Sequence, residues 1–169
     1  VGNRTVRLSR PDKVYFPDRG ITKRQVVEHY VAVREPLLGV LFERPTHLKR
    51  FVDGVTGDFF YQKRVPKGAP EWLETVEVRF PSGRAAEEIC PTRTAVPVWA
   101  ANLGTFDFHP WPVRRGQVDQ PDELRIDLDP QPGTDFADAV RVAGVLREVL
   151  DDAGLHGRPK TSGGRGIHV

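Results

Sequence analysis

A chain of 169 residues with a net charge of +2 is long enough to bury a real core, and too weakly basic for charge alone to name a partner. Its 38% hydrophobic and 28% charged content exclude a disordered chain, and no apolar run approaches the ~18 residues of a membrane span. The single cysteine, Cys90, excludes an internal disulfide and fits a reducing compartment, and no signal peptide is visible.

With 16 glycines and 15 prolines, the chain is expected to turn often between short strands. Residues 1–20 read as extended and turn-rich. Thr22-Lys23-Arg24-Gln25 has the form of a capping box, and Val26, Val27, Tyr30, Val31 and Val33 follow, so the spacing predicts a helix over 23–35, disturbed at Pro36. Strands are predicted over 46–52, 58–63, 75–80 and 85–89, a short helix around 97–102 and a strand over 105–109. A further strand is expected over 124–129. The helix after it is capped by Thr134 or Asp135, has Phe136, Val140, Ala143, Leu146, Val149 and Leu150 on one face, and ends at Gly154. A hairpin closes the chain, with arms 158–161 and 166–169 around Ser162-Gly163-Gly164. This order is α+β (mixed α/β), and no GxGxxG follows the first strand as a Rossmann unit would require. Trp72 and Trp99 are expected in the core, and Cys90 as inert packing.

The last third carries the chemistry. In Leu124-Arg125-Ile126-Asp127-Leu128-Asp129-Pro130 the alternation of a strand sends Ile126 and Leu128 to one side and Asp127 and Asp129 to the other, about 7 Å apart along the backbone. Pro130 stops the strand just past the acids. Two carboxylates so placed can hold a divalent metal, and Mg²⁺ or Mn²⁺ suits such hard oxygen donors. Taken alone, the pair is as readily the solvated face of an edge strand. One helix later comes Ser162-Gly163-Gly164-Arg165-Gly166-Ile167-His168-Val169. Without a Cβ in the way, backbone N–H groups at Gly163 and Gly164 can approach phosphate oxygens; Arg165 adds a planar donor, and His168 and Lys160 lie close by. Taken alone, this is an ordinary hairpin turn with a core histidine. Together the two segments point to chemistry on a nucleoside triphosphate.

These motifs resemble those of the archaeo-eukaryotic primase superfamily, in particular the polymerase domain of bacterial ATP-dependent DNA ligase D and its stand-alone relatives. The likeness extends over the chain: Pro11-Asp12-Lys13-Val14, Gly20-Ile21-Thr22-Lys23, Lys49-Arg50-Phe51, Phe59-Phe60 and Phe106-Asp107-Phe108-His109-Pro110-Trp111 stand in the family's order. The resemblance implies a primase-polymerase fold with an RRM-like catalytic half, and a template-dependent nucleotidyltransferase that fills short gaps or processes broken DNA ends with NTP or dNTP. It implies Asp127 and Asp129 as catalytic metal ligands for Mn²⁺ or Mg²⁺. It implies Ser162, Gly163, Gly164, Arg165, His168 and His109 around the nucleotide, with Arg165 where relatives often carry Lys. Lys13 and Lys23 would hold the downstream 5′-phosphate, and Lys49, Arg50, Phe59, Phe60 and Lys63 would meet DNA or its bases. A DNA ligase and an end-binding protein are the implied partners, in a bacterial cytoplasm at the nucleoid, with no membrane.

Bottom-up, several of these residues keep plainer readings. Lys13 and Lys23 are ordinary surface lysines apart from the place of Lys23 at a helix N-terminus, which attracts phosphate. Phe59 and Phe60 put one ring on each face of a strand, so at least one belongs in the core. His109 beside Trp111 is a candidate packed histidine. The chain starts at Val1, contains no Met and stops inside a predicted strand, so it is expected to be one incomplete domain over 1–169, lacking the family's third acidic residue and inactive by itself. A non-catalytic module that binds gaps or ends and recruits repair factors is the alternative, and a nuclease or other phosphotransferase using the same acids is a third.

Overall fold

The computed structural model describes residues 1–80 and 82–169. Its internal contacts separate two units, Val1–Asp122 and Glu123–Val169.

In the first unit, β1 (Val14–Phe16) and β2 (Ile21–Thr22) pair antiparallel across a 3₁₀ turn, Pro17–Arg19. Helix α1 (Lys23–Ala32) starts at the expected box, where the Thr22 backbone N–H donates to Gln25 Oε1 at 2.9 Å. It ends three residues short of the predicted 35. A second helix that the sequence reading missed, α2 (Arg34–Leu41), begins at once. Pro36 explains both: it lies in the first turn of α2, where its missing N–H has no intrahelical acceptor to lose. A proline read as a stop is here part of a start.

Five antiparallel strands form the sheet of this unit: β3 (Thr46–Arg50), β4 (Phe60–Gln62), β5 (Thr75–Arg79), β6 (Ala85–Ile89) and β7 (Thr105–Pro110). β3 is central, with β7 along one side and β4 and β6 sharing the other. Alternation sends Leu48 inward against Ile89, Leu73 and the helix α3 (Ala95–Asn102), whose Val96, Trp99 and Ala100 complete the cluster. Trp99 is core as expected, and Trp72 packs at the cluster's margin. Cys90 is fully buried, and desolvation pushes its thiol up to about 11, which keeps it a thiol. Arg44, also buried, donates from both guanidinium arms to Asp122 at 2.6 and 3.0 Å and pins the segment after β7 to the start of β3.

The second unit has three short antiparallel strands in the order β8 (Asp127–Leu128), β10 (Ile167–His168), β9 (Lys160–Thr161), with α4 (Phe136–Asp152) packed on β8 and β10. The strands are shorter than expected, although Ile126 and Val169 exchange two further backbone bonds of 2.9 Å. Asp135 is the cap of α4, its carboxylate accepting from the Ala137 and Asp138 amides at 2.8 and 3.2 Å, and Gly154 follows the helix at φ +72°. The apolar face differs from expectation. Ala139, Ala143, Leu146 and Leu150 turn inward, whereas Phe136, Val140 and Val149 are 47%, 49% and 58% exposed. Strands of two residues cover only a narrow stripe of a 17-residue helix, and the flanks of its apolar arc stay in solvent.

Candidate functional site

The second unit brings the acidic pair and the glycine turn together. β10 lies between β8 and β9, with His168 opposite Asp127 on one side and opposite Lys160 on the other. Directly paired residues project from the same face, so Asp127, His168 and Lys160 form a row across the sheet. Ile167 and Leu128 take the other face, toward α4. His168 Nε2 stands 3.4 Å from Asp127 Oδ1, and both side chains are about half exposed, as a site open to substrate requires. His168 is therefore not the core histidine of the plainer reading.

Asp129 meets the turn through Gly166. A Cβ at Gly166 would lie 2.6 Å from Asp129 Oδ1 and from the Leu128 carbonyl oxygen, so only glycine permits this approach of β10 to the second carboxylate. The Ser162 N–H donates to the Gly166 carbonyl at 3.0 Å, and Ser162 Oγ accepts from the Gly166 and Gly164 amides at 3.1 and 3.3 Å. Gly163 turns the chain at φ +88°. Among the described residues the Gly163 and Arg165 amides have no acceptor, which leaves two N–H donors at an exposed turn for a phosphate oxygen. Gly166→Ala is expected to cost about 1–3 kcal/mol by overpacking and to displace Asp129. A thermal melt equal to that of the unmodified chain would contradict the close approach.

In the first unit the sheet presents two separate sets of residues. On one face, β3 carries His47 and Lys49, β7 carries Asp107 and His109, and β4 carries Tyr61 opposite Lys49. Lys49 Nζ lies 4.4 Å from the Phe59 ring centre and 3.5 Å from Asp107 Oδ2, and Tyr61 meets His109 edge-on at 5.3 Å. His109 is exposed, not packed away. Phe60 points to the opposite face, its ring 5.1 Å from the Arg50 guanidinium. Neither phenylalanine enters the core: Phe59 is 51% and Phe60 45% exposed, because β4 is an edge strand with both faces open. Tyr61 was missed by the sequence reading, although its i, i+2 relation to Phe59 was the available signal.

Lys23 and Lys13 lie with Arg10 and Arg50 in one electropositive cluster. Lys23 is only 4% exposed, which corrects its reading as an ordinary surface lysine. Its ammonium donates to Ser9 Oγ at 3.0 Å. Burial, and then the charges of Lys13, Arg10 and Arg50, lower it to about 8. Lys13 differs: its ammonium donates to Asp53 Oδ1 at 2.6 Å and the Val52 carbonyl at 2.7 Å, so an exposed carboxylate already shares its charge. Lys63 lies just past β4, exposed and without an ion-pair partner among the described residues.

Residues 22–169 match the family model of the LigD primase-polymerase domain. The multifunctional non-homologous end joining protein LigD of Mycolicibacterium smegmatis is 31% identical over 166 residues, covering 97% of this chain and 22% of the relative. The Mycobacterium tuberculosis protein is 33% identical over 179 residues with the same coverage, and the bifunctional non-homologous end joining protein LigD of Bacillus subtilis is 30% identical, covering 94% of this chain and 25% of the relative. The chain thus spans about a fifth to a quarter of the length of these relatives. The solved polymerase domain from Mycobacterium tuberculosis ligase D in complex with DNA superposes with a TM-score of 0.87 at 32% identity, over 97% of this chain and 60% of that one. The mixed α/β architecture is that of this solved domain, and the chain belongs to the LigD primase-polymerase domain family.

Proposed function

We propose that the chain is part of a template-dependent nucleotidyltransferase that fills short gaps or processes broken DNA ends, its two units together making the larger part of one primase-polymerase domain. The observation that carries the reading is the row Asp127–His168–Lys160 with the Ser162 turn at its side. It sets a carboxylate, an imidazole and an ammonium on one exposed face, next to a turn with open amides.

The donor set suits Mg²⁺ or Mn²⁺. Among the described residues no group of three or more His, Cys, Asp or Glu side chains is arranged to hold a metal, and such ions commonly take one or two carboxylates and complete their shell from water and substrate phosphates. When bound, the ion would supply charge neutralisation on the phosphates and orientation of the primer 3′-hydroxyl. Asp127 and Asp129 would hold it. The amides of the turn, with the side chains of Ser162, Arg165 and His168, would seat the triphosphate, and the resemblance gives His109 a part in nucleotide binding. Lys23, with Lys13, would hold the downstream 5′-phosphate. Lys49, Arg50, Lys63, Phe59 and Phe60 would meet the DNA, where a base stacked on a ring contributes about 1–3 kcal/mol. The neighbour's complex with DNA and the relatives' names in non-homologous end joining support DNA as the substrate and repair as the setting. A ligase and an end-binding protein as partners, and a place at the bacterial nucleoid, belong to the same proposal. Among the described residues no helix is long and apolar enough to cross a membrane.

The resemblance implies a third acidic residue in addition to Asp127 and Asp129, and we propose that the 169 residues alone bind DNA without extending it; a non-catalytic end-binding module is the second reading. Labelled-nucleotide incorporation by the complete protein on a gapped, 5′-phosphorylated duplex separates the two. Metal-dependent addition is the expected result; metal-dependent hydrolysis of the DNA, or binding alone, would overturn it.

A further inference from the structure

A cavity of about 330 Å³ opens in the first unit between the segment after β4 and the β5–β6 hairpin. It falls in the ~300–1,000 Å³ range of small-molecule sites. Its wall is the half-buried ring of Phe80, its floor reaches Glu88, and Lys63, Arg64, Arg84 and Ser82 stand around it. The rim is held in place by backbone bonds: the Val65 N–H donates to the Glu87 carbonyl at 3.3 Å, and the Phe80 N–H to the Arg84 carbonyl at 2.8 Å. The Arg64 carbonyl also accepts from Gln62 Nε2 at 2.6 Å.

The charges decide what the cavity can take. Lys63, Arg64 and Arg84 are all exposed, and none has an ion-pair partner among the described residues. Elsewhere in the unit the arginines that lie near carboxylates are paired: Arg44 and Arg114 with Asp122, Arg93 and Arg115 with Glu74. The cavity's own carboxylate is a single charge against three cations: Glu88 is fully buried, its Oε1 is engaged by His47 Nε2 at 2.9 Å, and its Oε2 has no partner among the described residues. Three uncompensated cations beside an aromatic wall match an anion carried next to a flat ring.

We propose that this cavity is a nucleotide subsite, with the phosphate held by Arg64, Arg84 and Lys63 and the base against Phe80. The ligand is a free mononucleotide or one residue of a single strand; the chemistry is shared. The subsite shares Lys63 with the DNA contacts proposed above, but Arg64, Arg84 and Phe80 have no part in them, so the variants below test the cavity apart from the polymerase reading. Isothermal titration of the 169-residue chain with AMP, adenosine and a pentathymidylate tests it. At least one phosphate-bearing probe is expected to bind, AMP more tightly than adenosine, and the Arg64→Gln/Arg84→Gln double variant to lose fivefold or more. Loss for AMP assigns the free nucleotide, and loss for pentathymidylate alone assigns the strand. An Arg64→Lys/Arg84→Lys variant should recover much of the affinity, which separates lost charge from a disturbed fold. No binding by the unmodified chain, adenosine binding as tightly as AMP, or a loss below fivefold for both phosphate probes would overturn the subsite.

Discussion

Replacing Asp127 and Asp129 together by alanine in the complete protein should lower nucleotide addition on gapped DNA by at least about a thousandfold, since an ion held there as proposed would contribute several kcal/mol to the transition state. Binding to the same DNA should persist. Both carboxylates are exposed and neither carries packing, so the melting temperature should hardly change. Removing two negative charges near a phosphate chain should, if anything, tighten DNA binding at low salt. His168 provides an internal control. It loses its carboxylate neighbour in the double variant, so if it supports nucleotide binding only through Asp127, His168→Ala should add little on that background. Extension at the normal rate by the double variant would contradict the site; joint loss of extension and folding would mean the pair is structural.

The second large effect is at Lys23. A buried ammonium lowered to about 8 by desolvation and by neighbouring cations is an unpaid charge until an anion arrives. Lys23→Met should reduce the preference for a 5′-phosphorylated over an unphosphorylated gap end by about ten- to a hundredfold, the range of a lost charge-assisted hydrogen bond. The same change should raise thermal stability without DNA. The sign follows from linkage: between about 8 and lysine's ordinary value the unfolded chain binds more protons, so stability rises with pH across that window and the charge is a cost below it. For the unmodified protein, preference for the phosphorylated end should fall roughly tenfold from pH 7 to pH 9 as Lys23 deprotonates; exposed lysines would hold it to higher pH. Asp53→Asn should act in the opposite direction, since it frees Lys13 from its 2.6 Å partner, and affinity for the phosphorylated end should increase. Equal preference at pH 7 and pH 9 would remove Lys23 from the phosphate site.

Local signals made much of this legible in the sequence. The box at Thr22, the period of two in Ile126–Asp129 and the glycines of the closing turn each specify their own backbone, and they appear where the residues put them. The strand pairing that sets His168 between Asp127 and Lys160 is non-local, and the alternation of 127 and 129 fixes only the face that the two acids share. What the sequence concealed depends on burial and on how much neighbouring surface exists. Lys23 looks like any lysine until the chain folds Ser9, Arg10 and Arg50 around it. Phe59 and Phe60 were divided between core and solvent on the assumption of a covered strand, whereas β4 lies at an edge. Pro36 was read as a stop because the motif preceding it was a helix; the valines and leucines beyond it belong to a second one. On α4 the apolar arc is wider than three short strands can cover, and periodicity alone cannot tell the covered part from the rest.

If the aspartate pair and the serine-led turn grip one ion and one nucleotide tail as proposed, a bound paramagnetic ion must be felt by both. Paramagnetic broadening by substoichiometric Mn²⁺ with ATP, read on the backbone amides of the 169-residue chain, tests it most directly. Selective loss of signal is expected at Asp127, Asp129 and residues 162–168, abolished by Asp127→Asn with Asp129→Asn. Broadening that spares the turn, or that survives in the double variant, would contradict it.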